Sequence, residues 1–184
     1  MPTLQSFRND FKGVRPNRFL VEASWPSGVQ ASTNDIYVYV KAADLPGSTI
    51  GQINVAWQGR VVKFAGERVY ADWAINCYES NISSKDLRLA FERWMEKMDG
   101  RNSHAINYNL VSNWKVRYSD VVANNTNTPA GNQSQIPGQF NKSITLHNCF
   151  PVDIGPITLN YDLADSFSEF TVQIAYDYWT PTPA

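Results

Sequence analysis

The segment "FTVQIAYDYW" at residues 170–179 decides the fold class. Large apolar side chains alternate in it with small or polar ones, and successive side chains of a β-strand point to opposite faces. One face would carry Phe170, Val172, Ile174, Tyr176 and Tyr178. The other would carry Thr171, Gln173, Ala175 and Asp177. The pattern therefore predicts one strand with a core-facing side and a small, polar side that has an acid and no base.

Further segments rich in β-branched and aromatic residues surround this strand. They are "RFLVEASW" (18–25), "IYVYVKAA" (36–43), the long run 52–80, "WKVRYSDVV" (114–122), "SITLHNCF" (143–150) and "ITLNYDL" (157–163). One segment, residues 84–98, instead repeats apolar residues at helical spacing, with Ser83 or Ser84 as the N-cap and Gly100 after the end. These elements predict a mainly β protein, a β-sandwich or barrel with one flanking α-helix.

The length of 184 residues suits a single domain. Residues 1–18 show little periodicity and are interpreted as an N-terminal arm. Residues 123–139 consist mostly of Asn, Thr, Gln, Gly and Pro, which predicts a flexible surface loop. The C-terminal "TPTPA" (180–184) is expected not to extend a sheet, because proline lacks the N–H donor.

Charge is distributed unevenly along the chain. All 16 Lys and Arg lie at or before Lys142, so residues 1–142 carry +4 and residues 143–184 carry −5. We expect two faces or ends of the fold to differ in electrostatic potential. No segment has the length and apolarity of a membrane span or a signal peptide, so no membrane insertion is expected. In such a chain Cys77 and Cys149 are interpreted as buried reduced thiols.

The sequence offers no recognisable reaction centre. His104 stands in a polar segment, and His147 lies two residues from Cys149, which is too few ligands for zinc. Asp162 and Asp177 could face each other on adjacent strands like the acid pair of a glycoside hydrolase, but the aromatic residues that such a cleft needs lie on the apolar face. We predict no catalytic residues, no cofactor and no metal, and hence no enzyme.

Several segments, taken in order, resemble the tail tube protein family of contractile-tailed (T-even-type) bacteriophages. They are "RPNRFLVE", the run from "KAADLPGSTIG" to "YADWAI", "LRLAFERWM" and the run from "CFPVDIGPITLNYDL" to "FTVQIAYDYW". Specific elements are Arg15-Pro16-Asn17, Leu45-Pro46-Gly47, Ala65-Gly66-Glu67-Arg68 before Asp72-Trp73, and Phe150-Pro151. The similarity spans roughly residues 15–179.

The resemblance implies a structural virion protein of the phage tail, assembled in the host cytoplasm. Subunits of the family join into hexameric rings in which their strands form one large closed barrel. The rings stack into a hollow tube inside a contractile sheath, and the genome passes through it during ejection. The implied partners are other copies of the chain, the sheath, baseplate, tape-measure and tail terminator proteins, and DNA that passes without specific binding.

The resemblance also implies roles for particular residues. The segment after the second strand, residues 44–60, would project toward the neighbouring ring. Candidates for contact between rings are Leu45, Pro46, Gly47, Ile50, Arg15 and Phe19. Candidates for the channel lining, chosen by alternation on the last two predicted strands, are Thr158, Asn160, Asp162, Thr171, Gln173 and Asp177.

Two other functions stay open from the sequence. The tube of a headless contractile injection device would be built in the same way and would carry no genome. A carbohydrate-binding β-sandwich module would instead expose tryptophans, for which Trp25, Trp57 and Trp114 are the candidates.

Overall fold

A computed structural model describes residues 3–6, 16–29, 39–82, 86–100, 106–120, 140–160, 162 and 166–183. Its strands are β1 (Phe19–Glu22), β2 (Val40–Ala43), β3 (Ser48–Trp57), β4 (Arg60–Tyr70), β5 (Trp73–Tyr78), β6 (Ser112–Asp120), β7 (Phe140–Ile154), β8 (Glu169–Ala175) and β9 (Tyr178–Pro183). The helix α1 spans Leu87–Asp99. The fold is mainly β with one small helix, as the sequence predicts.

Seven strands form one antiparallel sheet: six follow the order β1-β6-β7-β8-β5-β2, and the seventh, β9, pairs with β7. The long strand β7 belongs to both halves of this sheet. Its first part pairs with β6 and β9, and its last part pairs with β8. We name the half β1-β6-β7-β9 sheet A and the half β7-β8-β5-β2 sheet B. The two halves enclose the core, and the described strands do not close into a barrel.

Trp114 on β6 lies at the centre of the core with no exposed surface. Its ring contacts Trp73 of sheet B at a centroid distance of 6.0 Å and Trp94 of the helix at 6.4 Å. Trp25, in the segment after β1, packs edge-on against it at 5.6 Å. One side chain thus joins both sheet halves and the helix, and edge-to-face aromatic pairs add stabilisation beyond the buried area.

The helix flanks the sheet, as predicted, and packs against the core. Its buried side chains, Leu87, Ala90, Phe91 and Trp94, form one stripe. Asp86 caps it by accepting a hydrogen bond from the backbone N–H of Leu89 at 3.0 Å, and Gly100 ends it in the left-handed conformation. The helix begins three residues later than predicted, because Asp86 provides the cap in place of Ser83 or Ser84.

The predicted single strand 170–179 is two strands. Phe170, Val172, Ile174 and Tyr176 are buried as predicted, but the strand stops at Ala175. The chain then bends at Asp177, and Tyr178 is 44% exposed and stacks on His147 at 4.5 Å. The prediction that Tyr178 shares the buried face is therefore wrong.

Asn148 is the origin of this bend. Its φ of 58° is left-handed, so β7 changes direction there. Its side-chain amide donates to Asp177 at 2.6 Å, and its backbone N–H donates to the side chain of Asn113 at 3.1 Å. The bend places His147 on the outer surface and Cys149 in the core, so these two residues are not neighbours on one face.

Two other predictions about the C-terminal third are wrong. Residues 157–160 of the predicted strand "ITLNYDL" are irregular and follow Gly155-Pro156, and Asp162 lies in a turn. The prolines of "TPTPA" do extend the sheet, since Pro181 and Pro183 pair with Ile144 and Lys142. They are tolerated because β9 is an edge strand, where alternate N–H groups point away from the partner.

Other predictions fall on residues that are not described. Residues 7–15 of the predicted arm 1–18, including Arg15, lie outside the described residues, as do residues 36–38 of the second strand and the whole loop 123–139. Within the described part of the chain, no helix is long and apolar enough to cross a membrane.

Replacing Trp114 by alanine should lower the free energy of unfolding by about 3–5 kcal/mol, because it removes a fully buried aromatic side chain and leaves a cavity. The measurement is the midpoint of a urea transition. The matched control is Trp57→Ala, which removes a tryptophan that is 65% exposed and should change stability by less than about 0.5 kcal/mol. Equal losses in both variants would contradict the central role of Trp114.

Asn148→Ala should be less stable than Asn148→Gly by about 1 kcal/mol. Both substitutions remove the hydrogen bond to Asp177, so their difference isolates the cost of the left-handed backbone. Thermal unfolding of the two variants measures it. Equal stability would show that the backbone at residue 148 relaxes when the side chain is lost.

Candidate assembly surfaces

The β3–β4 hairpin is paired with no third strand among the described elements. A two-residue turn joins the strands, with Gln58 and Gly59 at φ 46° and 78°, the signs of a type I′ turn. Every residue of β3 is exposed, and so are all residues of β4 except the half-buried Gly66 and Tyr70. Isolated two-stranded hairpins are only marginally stable in water. This element therefore needs a partner surface to be well stabilised.

One side of the hairpin is apolar. Cross-strand pairing places Ile53 opposite Phe64 and Val55 opposite Val62, with Trp57 next to the turn. Alternation and this register define a stripe, which we call the hairpin face: Ile53, Val55, Trp57, Val62, Phe64 and Val69. These side chains are between 40% and 65% exposed. A contiguous apolar surface of this kind marks a site of interaction.

A register shift keeps this stripe continuous. Gly66 and Glu67 together lie opposite Gly51, which is a β-bulge. A Cβ atom at Gly66 would come within 3.1 Å of the Gly51 backbone, so only glycine fits without movement. The extra residue returns Val69 to the face that holds Phe64, because alternation without the bulge would place it on the opposite face.

The predicted projecting segment 44–60 contains β3, the turn and Arg60, the first residue of β4, but not the rest of β4. Leu45, Pro46 and Gly47 lie at the base of the hairpin, where the indole N–H of Trp73 donates to the Asp44 carbonyl at 2.6 Å. Leu45 and Ile50 are 48% and 50% exposed. Phe19 is half-buried and packs against the core.

The sequence contains one indication of the hairpin. Apolar residues alternate with small or polar ones in "INVAW", and β-branched and aromatic residues resume in "RVVKF" after "QG", which identifies a hairpin. Alternation alone does not say whether a strand's apolar face meets the subunit's own core or another molecule. The sequence therefore does not mark Val62, Phe64 and Val69 as surface residues.

The second surface is the outer face of sheet B. Thr171 is exposed and lies opposite Asn76, and Gln173 is half-buried and lies opposite Ala74. Lys41 reaches this face and is paired with Glu169 at 2.6 Å. That hydrogen bond raises the pKa of Lys41, and the two charges neutralise each other. Among the described residues of this face, no cation is left without a carboxylate partner.

Sheet A differs in charge on its outer side. Pairing places Lys115 and Arg117 of β6 there together with Glu22 of β1, and the Arg117 guanidinium contacts Glu22 at 2.9 Å. On the same side, His147 Nε2 and Thr180 Oγ1 form a hydrogen bond at 2.9 Å. The cations of the sheet are therefore concentrated on the side opposite to Thr171 and Gln173.

The six predicted channel residues do not form one group. Thr171 and Gln173 share the outer face of sheet B. Thr158, Asn160 and Asp162 are exposed in the loop between β7 and β8, and Asp177 lies at the bend before β9. Asp162 and Asp177 are thus not opposite each other on adjacent strands, so the acid pair considered from the sequence is not formed.

The remaining chemically notable groups are structural. Cys77 and Cys149 are free, fully buried thiols, as predicted. Burial raises the pKa of each to about 12. No group of three or more potential metal ligands occurs in the described part of the chain. Of the tryptophans considered for sugar binding, Trp114 and Trp25 belong to the aromatic core and only Trp57 is largely exposed.

Comparison with known proteins identifies relatives along most of the chain. A family model described as phage tail tube protein matches residues 14–182. The chain is 24% identical over 166 residues to the tail tube protein gp19 of Enterobacteria phage T4, which covers 90% of each chain. It is also 24% identical over 182 residues to the tail tube protein of Serratia phage KSP90, covering 96% of this chain and 95% of that one.

Solved structures share the fold at lower identity. A chain of the anti-feeding prophage baseplate superposes with a TM-score of 0.67 at 14% identity, covering 94% of this chain and 97% of that chain. A chain of the sheath-tube complex of an extracellular contractile injection system superposes with a TM-score of 0.61 at 9% identity, over 100% of both chains. On the family match and the curated relatives, the chain belongs to the phage tail tube protein family and is a structural subunit of the virion tail.

Proposed function

We propose that this subunit assembles into hexameric rings that stack into a hollow tube for DNA ejection inside a contractile sheath. The observation that carries the proposal is the hairpin face, an exposed apolar surface on a hairpin that pairs with no third described strand. Subunits joined head to tail form a ring when the rotation closes, and the unlike ends of the ring can stack without limit through a projecting surface of this kind.

Ring closure also explains the open sheet. Sheet B ends at β2, a strand of only four residues, and sheet A ends at β1, which is equally short. Free edges expose unpaired backbone groups, and closing the strands of several subunits into one barrel removes them. This supports the large shared barrel that the family resemblance implies.

We further propose that the outer face of sheet B lines the channel, with Thr171 and Gln173 kept from the predicted set and Asn76 and Ala74 added from β5. DNA is held mainly through phosphate contacts with Lys and Arg. The described cation of this face, Lys41, is already paired with Glu169, so the face offers few contacts to phosphates. DNA would therefore pass without specific binding.

The sheath, the baseplate and the tail terminator are proposed partners. The superposed chains come from a baseplate, from a sheath-tube complex and from a tube-terminating cap. A tape-measure protein inside the tube stays a prediction of the family resemblance. The phage relatives favour a conduit for a genome over a headless device, which shares the architecture.

Negative-stain electron microscopy of the concentrated protein should show long hollow filaments with a ring repeat. Introducing the cross-strand pair Ile53→Asp and Phe64→Asp should raise the concentration needed for filaments at least tenfold, because two charges would have to be buried in the contact. The control is Gln52→Asp with Ala65→Asp, a cross-strand pair on the other side of the same hairpin. Filaments at the wild-type concentration in the first variant would contradict the role of the hairpin face.

Thr171→Lys combined with Gln173→Lys should leave tube assembly intact and slow DNA ejection, since added cations would bind passing phosphates. Ejection rates of assembled phage, measured by fluorescence of released DNA, provide the test. The control T171Q/Q173M introduces side chains of a length similar to lysine that carry no charge. Equal ejection rates for the lysine variant and this control would place the outer face of sheet B outside the channel.

A further inference from the structure

We propose that Glu169 has a specific task in the channel: it neutralises Lys41, and without it the channel wall would bind DNA. This inference rests on the proposed function, because it deepens the assignment of the outer face of sheet B to the channel. It makes Glu169 a positioning residue, since its effect on DNA acts through the lysine that it holds.

A β-bulge in β2 directs Lys41 across the outer face of sheet B. Val40 lies opposite Cys77 and Ala42 lies opposite Asn76, so Lys41 is the extra residue of the bulge. Val40 is buried, whereas Lys41 and Ala42 are both exposed. Lys41 therefore has no residue directly opposite it on β5, and its side chain extends over that strand.

The Lys41 side chain crosses β5 and ends at β8. Its Nζ lies over the ring of Tyr78, 5.8 Å from the centroid, and contacts both carboxylate oxygens of Glu169 at 2.6 and 2.7 Å. Tyr78 and Glu169 are opposite each other on neighbouring strands. An aromatic ring and a carboxylate thus hold the ammonium group together, and both interactions favour a positive charge.

Glu169 lies on the same face as the proposed channel residues. By alternation it shares the outer side of β8 with Thr171 and Gln173, while Phe170 between them is buried. The Asn76 side-chain amide donates to its Oε2 at 3.4 Å. The side chains of Lys41 and Glu169 are 44% and 32% exposed. DNA that passes over this face would therefore meet the pair directly, and the pair has no net charge.

The net charge decides whether DNA is retained. A lysine binds DNA because it neutralises a phosphate and releases the cations that are condensed on the DNA. A lysine whose charge is already balanced by a carboxylate of the same subunit releases none. In a ring with one pair per subunit, the loss of Glu169 would expose a circle of identical cations around the channel.

The pair has a second conceivable role, which is to hold the short edge strand β2 against the sheet. Exposed ion pairs contribute little to stability, so this role predicts small effects. It also predicts that removing either partner, or both, has the same result. The channel role instead predicts opposite results for the loss of Glu169 alone and the loss of both partners.

The variants Glu169→Gln and K41M/E169Q separate these roles. Glu169→Gln keeps the shape of the side chain, and its amide can donate to Asn76 Oδ1, which has no hydrogen-bond partner in the described part of the chain. Tubes of E169Q should bind a short fluorescent DNA duplex that wild-type tubes do not retain. Two phosphate contacts would make this affinity fall about tenfold between 50 and 200 mM salt. Tubes of K41M/E169Q should behave like wild-type tubes.

Ejection from assembled phage provides the second readout. DNA release, followed by fluorescence, should be slower in E169Q than in the wild type and should recover in K41M/E169Q. The matched control is Glu22→Gln, which frees Arg117 from a similar ion pair on the outer side of sheet A. This control should eject at the wild-type rate, because the freed cation lies on the opposite side of the subunit.

The outcomes distinguish this inference from the proposed function. E169Q tubes that retain no DNA and eject at the wild-type rate would overturn the inference and leave the tube proposal standing. Equal retardation in E169Q and K41M/E169Q would also overturn it, since the lost carboxylate would then act on structure. The same holds if both variants without Glu169 fail to assemble. Wild-type protein that never forms tubes would overturn the proposed function itself.

Discussion

The packing of Trp114 against its aromatic neighbours holds the subunit together. Its ring contacts one tryptophan from the opposite half of the sheet, one from the helix and one from the segment after the first strand. The packing of sheet A, sheet B and the helix against one another therefore depends on a single cluster of buried aromatic side chains. The tryptophan N–H groups also fix the periphery: Trp94 donates to the Leu110 carbonyl at 2.8 Å, and Trp73 holds the base of the hairpin through Asp44.

This division between a rigid core and an uncovered hairpin matches the two tasks of a tube subunit. The core must keep its shape because small errors in each subunit would accumulate along a tube. Of the hairpin residues only Tyr70, at its base, packs against the core cluster, so the others are available for contact between molecules. The same division separates charge, with cations on the hairpin and the outer side of sheet A and exposed carboxylates near the β7–β8 loop.

The spacing of apolar residues along the sequence predicted those parts of the fold in which a single periodicity decides which side chains are buried. Alternation was sufficient for residues 170–175, and helical spacing was sufficient for the buried stripe of α1. Alternation gave the wrong orientation for Tyr178, because the left-handed Asn148 on the paired strand bends both strands. An asparagine in a sequence does not by itself indicate that backbone conformation. Alternation failed again at residues 157–160, where β-forming residues find no partner strand among the described elements.

The candidate surfaces were harder to predict than the fold. The polar side of the strand at 170–175 was correctly described from the sequence, but what it faces depends on neighbouring subunits. The predicted strand at 157–163 places Thr158, Asn160 and Asp162 on the same side, whereas in the structure these residues lie in the loop between β7 and β8. The family resemblance supplied the tube and the projection, whereas the register of the bulge at Gly66 supplied the residues of the hairpin face.

The exposed hairpin has a kinetic consequence. A two-stranded element without other support gains much of its stability from whatever covers it. If a second copy covers the hairpin, the first few subunits in solution lose the conformational entropy of ordering their hairpins and gain few contacts. A subunit that binds to a finished ring forms all of its contacts at once. Starting a new tube is then slow and extending an existing one is fast. A pool of free subunits would persist until a template appeared, and tube length would be controlled by where growth begins and ends.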